Sequence, residues 1–472
     1  MVKSPVVHWI GPPRANNGLQ AARAASSIAP AAAGLLGLWG VVGAMMFQLQ
    51  NLQSLTGLGL TMAICWAVSE NRRRFPFRLA LGAVAMQVIL VLLLFGVPAA
   101  QSALRGVGVG VDILGTSATA GAGFVFGFLA GGPQQPYPVS EPASLFILAF
   151  HVLPVILVVC ALSALLWHWR ILKWIAKGFG LLFQKTLGLR GPPALAAAAT
   201  VFMGQVEGPI FIRAYLDLLT RSELFMLISV GMACVSGSTM VAYATILKGV
   251  LPNAAAHILT ASIISAPAGV LLARIIIPPD PIEARTDFDP KAGDKVYASS
   301  IDAVIKGTGD GLNVVLNVAA TLVVFVALVA MLDQLLALAP AVRGAPVSIE
   351  RGLGALFTPL AWAIGVPWAE APTAGGLLGV KLVLTEFSAF IRMSHTAPAA
   401  LSDRSRMIMT YALCGFANIA SVGINVAGYS VLAPNRRDEV MAMVWKAMLA
   451  GFLATCMTAS VVGLMPARLF GG

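Results

Sequence analysis

GQVEGPIFIRAYLDLLTRSELFMLISVGMACVSGSTMVAYATI (204–246) decides how the rest of the chain is read. Its centre, SELFMLISVGMA (222–233), suits a membrane helix, and Thr220 with Glu223 three residues on forms a capping box at its start. Two features do not suit a simple span. CVSGS (234–238) interrupts the helix expected over 223–248, and the apolar stretch before it, 192–217, is broken by Pro, Gly and Glu207. Non-helical backbone at membrane depth is tolerated only where protein or a polar cavity satisfies it. The spacing therefore predicts a re-entrant helical hairpin at 192–217 and a broken transmembrane helix at 223–248.

The same sentence is written a second time. The apolar stretch 353–393 is broken and carries Glu386, and the helix expected over 405–433 is interrupted by GFANIAS (415–421), with Ser402 or Asp403 as its cap. Weak repetition with polar breaks at matched positions marks an inverted-repeat transporter. The expected fold is an all-α polytopic membrane protein with two re-entrant hairpins and two broken helices.

Composition agrees. The 472 residues are 58% hydrophobic and only 11% charged, where a soluble chain carries about a quarter charged residues. Further spans are expected near 31–48, 54–70, 77–99, 144–168, 256–277, 311–338 and 440–466. The net charge of +11 sits in short loops between apolar runs. It therefore speaks of topology rather than of a nucleic-acid partner. Arg72–Arg74 with Arg78, the basic stretch 170–190, the 280–306 loop and Arg436–Arg437 all fall on the cytoplasmic side if both broken stretches turn back. Residues 1–28 form a polar tail. The run within 29–50 reads as an extra, retained N-terminal helix rather than a cleaved signal, because it ends in Gln-Leu-Gln. The region 53–143 holds scaffold helices and, in the Gly/Ser/Thr-rich 100–143, a segment too polar to span that is expected at the interface. The first half runs over 144–279, a charged cytoplasmic loop over 280–310, and the second half over 311–466 with a scaffold helix at 311–338.

Glu207 and Glu386 carry the chemistry. A carboxylate within a membrane segment costs ~2.5–3.5 kcal/mol and usually faces a cavity or substrate path. A structural ion pair with Arg213 or Lys381 is the alternative. Gln205 beside Glu207 both donates and accepts, which suits the amide-like edge of a heterocycle. Asn418 and Ser421, three apart, are expected on one helix face where Glu386 can join them. A carboxylate, an amide and a hydroxyl suit a ribose diol, and Phe416 offers a ring to stack. Together they predict a small, neutral, polyhydroxylated substrate. His151, inside an apolar run, is expected to hydrogen-bond between helices. The five cysteines stand singly, with no metal-ligand or disulfide spacing. No phosphate loop, GxSxG or HExxH is present, so neither an enzyme nor a cofactor is expected.

GQVEGPIFIRAYLDLLTRSELF (204–225), IGVPWAEA (364–371), VKLVLTEFSAF (380–390) and YALCGFANIASVGI (411–424) resemble the signature stretches of the concentrative nucleoside transporters. SENRRRFPFR (69–78) and TAGAGFVFG (119–127) fall where that family has similar segments. The resemblance covers roughly 53–466. It implies a homotrimer in the bacterial inner membrane, with a scaffold and a transport domain that moves as an elevator. It implies that Gln205 and Glu207 contact the base, that Glu386, Asn418 and Ser421 bind the ribose, and that Phe416 lies beside the substrate.

Three departures bear on specificity and coupling. Val206 stands where the family usually has Ser or Thr between Gln and Glu. Thr200 replaces the Asn that lies five residues before the Gln in sodium-coupled members, and Cys234 replaces their Ser or Thr. Backbone carbonyls of Met203 and Val235 remain, but sodium wants several hard oxygens. Some bacterial relatives without the Asn couple to protons, so H+ is the expected coupling ion, with Na+ the alternative and Glu207 or Glu386 the carrier. A non-transporting nucleoside-recognition gate, or a receptor-like protein, is the other functional reading.

Overall fold

The computed structural model describes residues 49–130, 147–189, 191–205, 207–210, 212–279, 297–338, 340–341 and 346–470. Most of the expected N-terminal tail and extra helix therefore lies outside the described residues, as do Val206 and residues 280–296 of the expected cytoplasmic loop. Among the described residues the chain is helical and has no strand.

The helices are α1 Leu49–Ala67, α2 Phe77–Gly96, α3 Pro98–Phe126, α4 Leu148–His151, α5 Leu153–His168 and α6 Ile171–Leu187. There follow α7 Gly191–Met203, α8 Glu207–Ile210, α9 Arg221–Ala233, α10 Gly237–Ile246, α11 Ala254–Ile276 and α12 Ser300–Leu336. The last six are α13 Ile349–Ala363, α14 Ala371–Val383, α15 Glu386–His395, α16 Asp403–Leu413, α17 Ile419–Leu432 and α18 Arg437–Leu464. Among the described residues, seven helical stretches are long and apolar enough to cross a membrane. The core is built on α9, α11 and α18, which are almost wholly buried and pack on one another.

Contacts fix the two ends of the bundle. At one end Phe95 stacks on His257 (5.2 Å) and meets Phe470 edge to face (4.8 Å). At the other, Glu70 N–H bonds to Ile276 O (2.9 Å), Trp169 Nε1 donates to Ser300 Oγ (3.2 Å) and Arg436 holds the carbonyls of Leu216 and Leu219.

α3 is the largest departure from the sequence pattern. Residues 98–126, expected to be an interfacial helix with a loop, form one continuous helix, long and apolar enough to be counted among the seven. Its hydroxyls are spent internally, Thr116 on Asp112 O and Thr119 on Gly115 O, so polar content does not break it. Yet its start follows the end of α2, Asp112 at its middle meets Lys248 at the end of α10, and Phe126 packs on Phe150 in α4. All three contacts lie at the Phe95 end, so α3 runs along that end rather than through the bundle.

Two other boundaries differ. The stretch 353–393 contains not one helical pair but three helices, and the break that carries Glu386 lies between α14 and α15. The helix α12 starts at Ser300, inside the expected loop, because Ser299 caps it by accepting from Asp302 N–H (3.1 Å). His151 bonds locally to Ile147 O (3.2 Å).

The interrupted helices end in the middle of the protein, where open backbone groups have no water to turn to. Side chains close them. Ser236 accepts from Thr239 N–H at the start of α10, Thr385 from Ser388 N–H (3.2 Å) at α15, and Asn418 Oδ1 from Ser421 N–H (2.8 Å) at α17. The capping box of Thr220 and Glu223 starts α9 with both of its bonds present. At the α7–α8 turn Gly204 has φ +113°, a conformation that L side chains rarely adopt.

Candidate functional site

Four breaks meet around a cavity of about 180 Å³. The α7–α8 turn supplies Gln205 and Glu207, the α9–α10 break Ser236, the α14–α15 break Thr385 and Glu386, and the α16–α17 break Phe416 and Asn418.

Glu386, 6% exposed, is the first residue of α15, so its carboxylate sits at the favourable end of the helix dipole. Tyr243 OH donates to its Oε1 (2.6 Å) and Asn418 Nδ2 to its Oε2 (2.7 Å). Both oxygens are thus held by neutral donors. Lys381, the ion-pair partner suggested by the sequence, points elsewhere. It is fully buried and donates to Ala412 O (2.8 Å) and Thr455 Oγ1 (2.7 Å).

Across the cavity Gln205 Oε1 accepts from Asn425 Nδ2 (2.9 Å), while its Nε2 makes only a long bond to Ser421 Oγ (3.4 Å). The amide is therefore fixed by its oxygen and has donor capacity to spare. Gly231 in α9 makes room for this turn, since a Cβ there would lie 3.0 Å from Gln205 Cβ. Glu207 borders the same cavity and also a smaller one of about 70 Å³, shared with Met203, Ser236 and Asp310.

Asn418 and Ser421 come together differently from the pattern the sequence suggested. Asn418 is not helical (φ −148°) but caps α17, and one side chain both closes the helix and holds Glu386. The residues missed by sequence reasoning are Tyr243, Asn425, Thr385 and Asn317. Asn425 carries a faint signal, four residues after Ser421 and seven after Asn418 on one helical stripe. Tyr243 reads as an ordinary aromatic in an apolar helix, and only tertiary packing brings it to Glu386.

Thr200, Cys234 and Val235 gather near Ser262 of α11. Thr200 Oγ1 donates to Ala196 O (2.8 Å) and Cys234 Sγ to Ser262 O (3.4 Å). Ser262 Oγ lies within hydrogen-bond distance of Val201 O (2.9 Å) and Val235 O (3.2 Å), and accepts from Val235 N–H (3.3 Å). Gly208 lets α8 press onto this place, for a Cβ there would lie 2.9 Å from the Thr200 backbone. Among the described residues no group of three His, Cys, Asp or Glu is placed to hold a metal ion, and the five cysteines are free.

Three family models match this chain. They are the Na+ dependent nucleoside transporter N-terminus over residues 56–129, the nucleoside recognition "Gate" over 149–249, and the Na+ dependent nucleoside transporter C-terminus over 257–463. Nucleoside permease NupC of Helicobacter pylori is 32% identical over 421 residues, 88% of this chain and 97% of that one. The chain belongs to the concentrative nucleoside transporter family. Its fold matches that of CNTnw in an inward-facing substrate-bound state, with a TM-score of 0.79 and 34% identity over 88% of this chain and 98% of the other. A double variant of CNTnw in an outward-facing state matches with TM-score 0.79 and 33% identity, over 89% and 98%. This member of the concentrative nucleoside transporters is a multi-pass membrane protein, and its relatives are transporters rather than enzymes.

Proposed function

We propose that this chain imports nucleosides across the bacterial inner membrane as a cation-coupled symporter, with H+ as the coupling ion. The carrying observation is the cavity between Gln205 and Glu386. One wall holds a carboxylate with an amide and a phenol, suited to a ribose diol, and the other presents amide donors suited to a base edge. Phe416 supplies an aromatic wall. In this reading Gln205 and Glu207 contact the base, Val206 withholds a hydroxyl from it, and Glu386, Asn418 and Ser421 hold the sugar.

The helices α7–α8 and α14–α15 act as re-entrant hairpins that enter from opposite faces. With the broken helices they form a transport domain that moves as an elevator against a scaffold containing α12, in a homotrimer. Exposed apolar side chains along α12, among them Leu316, Val323 and Leu335, support a lipid- or subunit-facing role for it. The capture of CNTnw in inward- and outward-facing states supports alternating access by this fold.

Proton coupling rests on the neighbourhood of Thr200. Its hydroxyl, the Cys234 thiol and the Ser262 hydroxyl are each spent on a nearby backbone carbonyl, and no amide oxygen stands at position 200. Sodium is the second reading, favoured by the family models named for Na+ dependence. Radiolabelled uridine and adenosine uptake into proteoliposomes separates them. We expect accumulation under an inward proton gradient without sodium. Accumulation under sodium alone would replace the proton, and none under either gradient would sink the transport reading.

A further inference from the structure

The halves of the core are related helix for helix. The α7–α8 turn, the broken pair α9–α10 and α11 are answered by the α14–α15 turn, the broken pair α16–α17 and α18. The two breaks lie back to back. A Cβ on Gly415 would meet Thr455 Cγ2 at 2.5 Å on one side and Ala233 O at 2.8 Å on the other. Each first half-helix, α9 and α16, ends with its carbonyls in the middle of the protein, where a C-terminus presents partial negative charge.

Among the described residues the donors at the α9 end are neutral, Cys234 N–H, which bonds to Val230 O, and the Ser262 hydroxyl at Val235 O. At the α16 end stands Lys381. Its side chain enters from α14 and its Nζ meets three acceptors, Ala412 O at 2.8 Å, Thr455 Oγ1 at 2.7 Å and the face of Phe452 at 5.4 Å from the ring centre. Three acceptors and no donor suit the three N–H groups of an ammonium. Among the described residues no carboxylate is in salt-bridge range, so this cation does not serve an ion pair.

We propose that Lys381 is a tethered cation of the transport machinery, a positioning residue whose ammonium holds the carbonyl end of α16 and so sets the α16–α17 break. The break places Asn418, and Asn418 holds Glu386. Lys381 lies near the end of α14 and Glu386 opens α15 just across the turn, so the same ammonium ties the first arm of that turn to the break and, through Thr455, to α18. The inference rests on the transport reading and concerns a residue that does not touch the cavity.

Two variants test it in proteoliposomes beside the wild type. Lys381→Met keeps the length and removes the charge, and should lower nucleoside uptake at least tenfold in protein that remains monodisperse. Lys381→Ala leaves room for a free amine. Ethylammonium should restore a tenth or more of wild-type uptake and raise the melting temperature of the variant, while ethanol, similar in size and neutral, should do neither. Uptake by Lys381→Met within twofold of wild type overturns the proposal. So does a Lys381→Ala defect that ethylammonium and ethanol relieve equally or not at all, and so does failure of both variants to fold. If the wild type itself carries no nucleoside, the transport reading fails alone, and the ammonium-specific melting shift of Lys381→Ala still decides for or against the tethered cation.

Discussion

The two breaks solve one problem with different chemistry. Both must end a helix in the centre of a membrane protein. The first half does it with neutral groups, the Cys234 N–H on Val230 O and the Ser262 hydroxyl beside Val235 O, while the nearby Thr200 hydroxyl stays within its own helix on Ala196 O. The second does it with the buried charge of Lys381. Neutral donors can be exchanged for a passing ion or proton at small cost, whereas a covalently held cation cannot leave. The difference makes the first half the exchangeable side and the second the fixed side, and it places the firmly held carboxylate, Glu386, on the fixed side.

The largest expected effect strikes that carboxylate. Glu386→Gln keeps the shape but turns one acceptor oxygen into a donor facing Tyr243 OH or Asn418 Nδ2. It should reduce nucleoside uptake by about a hundredfold or more, since hydrogen bonds to a charged group are worth roughly 1.5–3 kcal/mol each and two are disturbed. Near-normal uptake by the folded variant would remove the ribose assignment. Tyr243→Phe deletes one of the two donors and should weaken apparent affinity by roughly tenfold on the same scale. Loss of maximal rate with unchanged affinity would instead place Tyr243 in the movement.

How much of this was legible in sequence follows the range of each signal. Thr220 with Glu223, the interruptions at 234–238 and 415–421, and the carboxylates at 207 and 386 are local chemistry, readable where they stand. The convergence of Gln205 and Ser421, 216 residues apart, could be inferred only from the repeat and the family resemblance. The approach of Tyr243 and the turn of Lys381 away from Glu386 depend on which helix packs beside which, and no spacing encodes that. The helix α13 was hidden because Pro359 and its glycines read as breaks, although Ser348 accepts from Arg351 N–H and caps it cleanly. The continuity of α3 was hidden for the opposite reason. Its Gly, Ser and Thr residues read as a helix with a loop, although Thr116 and Thr119 bond back within the helix and leave it unbroken over 98–126.

The exchangeable half can be probed by restoring oxygen. Thr200→Asn with Cys234→Ser adds an amide carbonyl and exchanges a soft thiol for a hard hydroxyl, the ligand type sodium requires. We expect nucleoside uptake to gain a sodium response of a few-fold, read as the ratio of initial rates in sodium and choline media. An unchanged ratio would show that Ser262 keeps its hold on the Val201 and Val235 carbonyls, and that the first break is as fixed as the second.

Burial sets the scale of these effects, and the contact that joins the two halves in the open should matter least. Glu70, outside the helices, accepts from Arg221 of α9 and from Lys446 of α18 (2.9 Å). Partial burial opposes ionisation of its carboxyl, but the bonds and charges of Arg221 and Lys446 outweigh it and hold the pKa below the ordinary value. A carboxylate favoured in the folded state stabilises above its unfolded pKa, about 4.3, and loses that contribution as pH falls through the lowered folded value. With both cations more than 40% exposed, the pair network contributes under about 1 kcal/mol. Glu70→Gln should therefore melt only slightly below wild type, by the same margin from pH 7 down to pH 5, and the margin should close below pH 4. A margin that survives at pH 3 would mean that Glu70 acts by packing rather than by charge. A margin as large as that of a variant at either break would mean that the Glu70 end of the bundle, not its buried centre, holds the halves together.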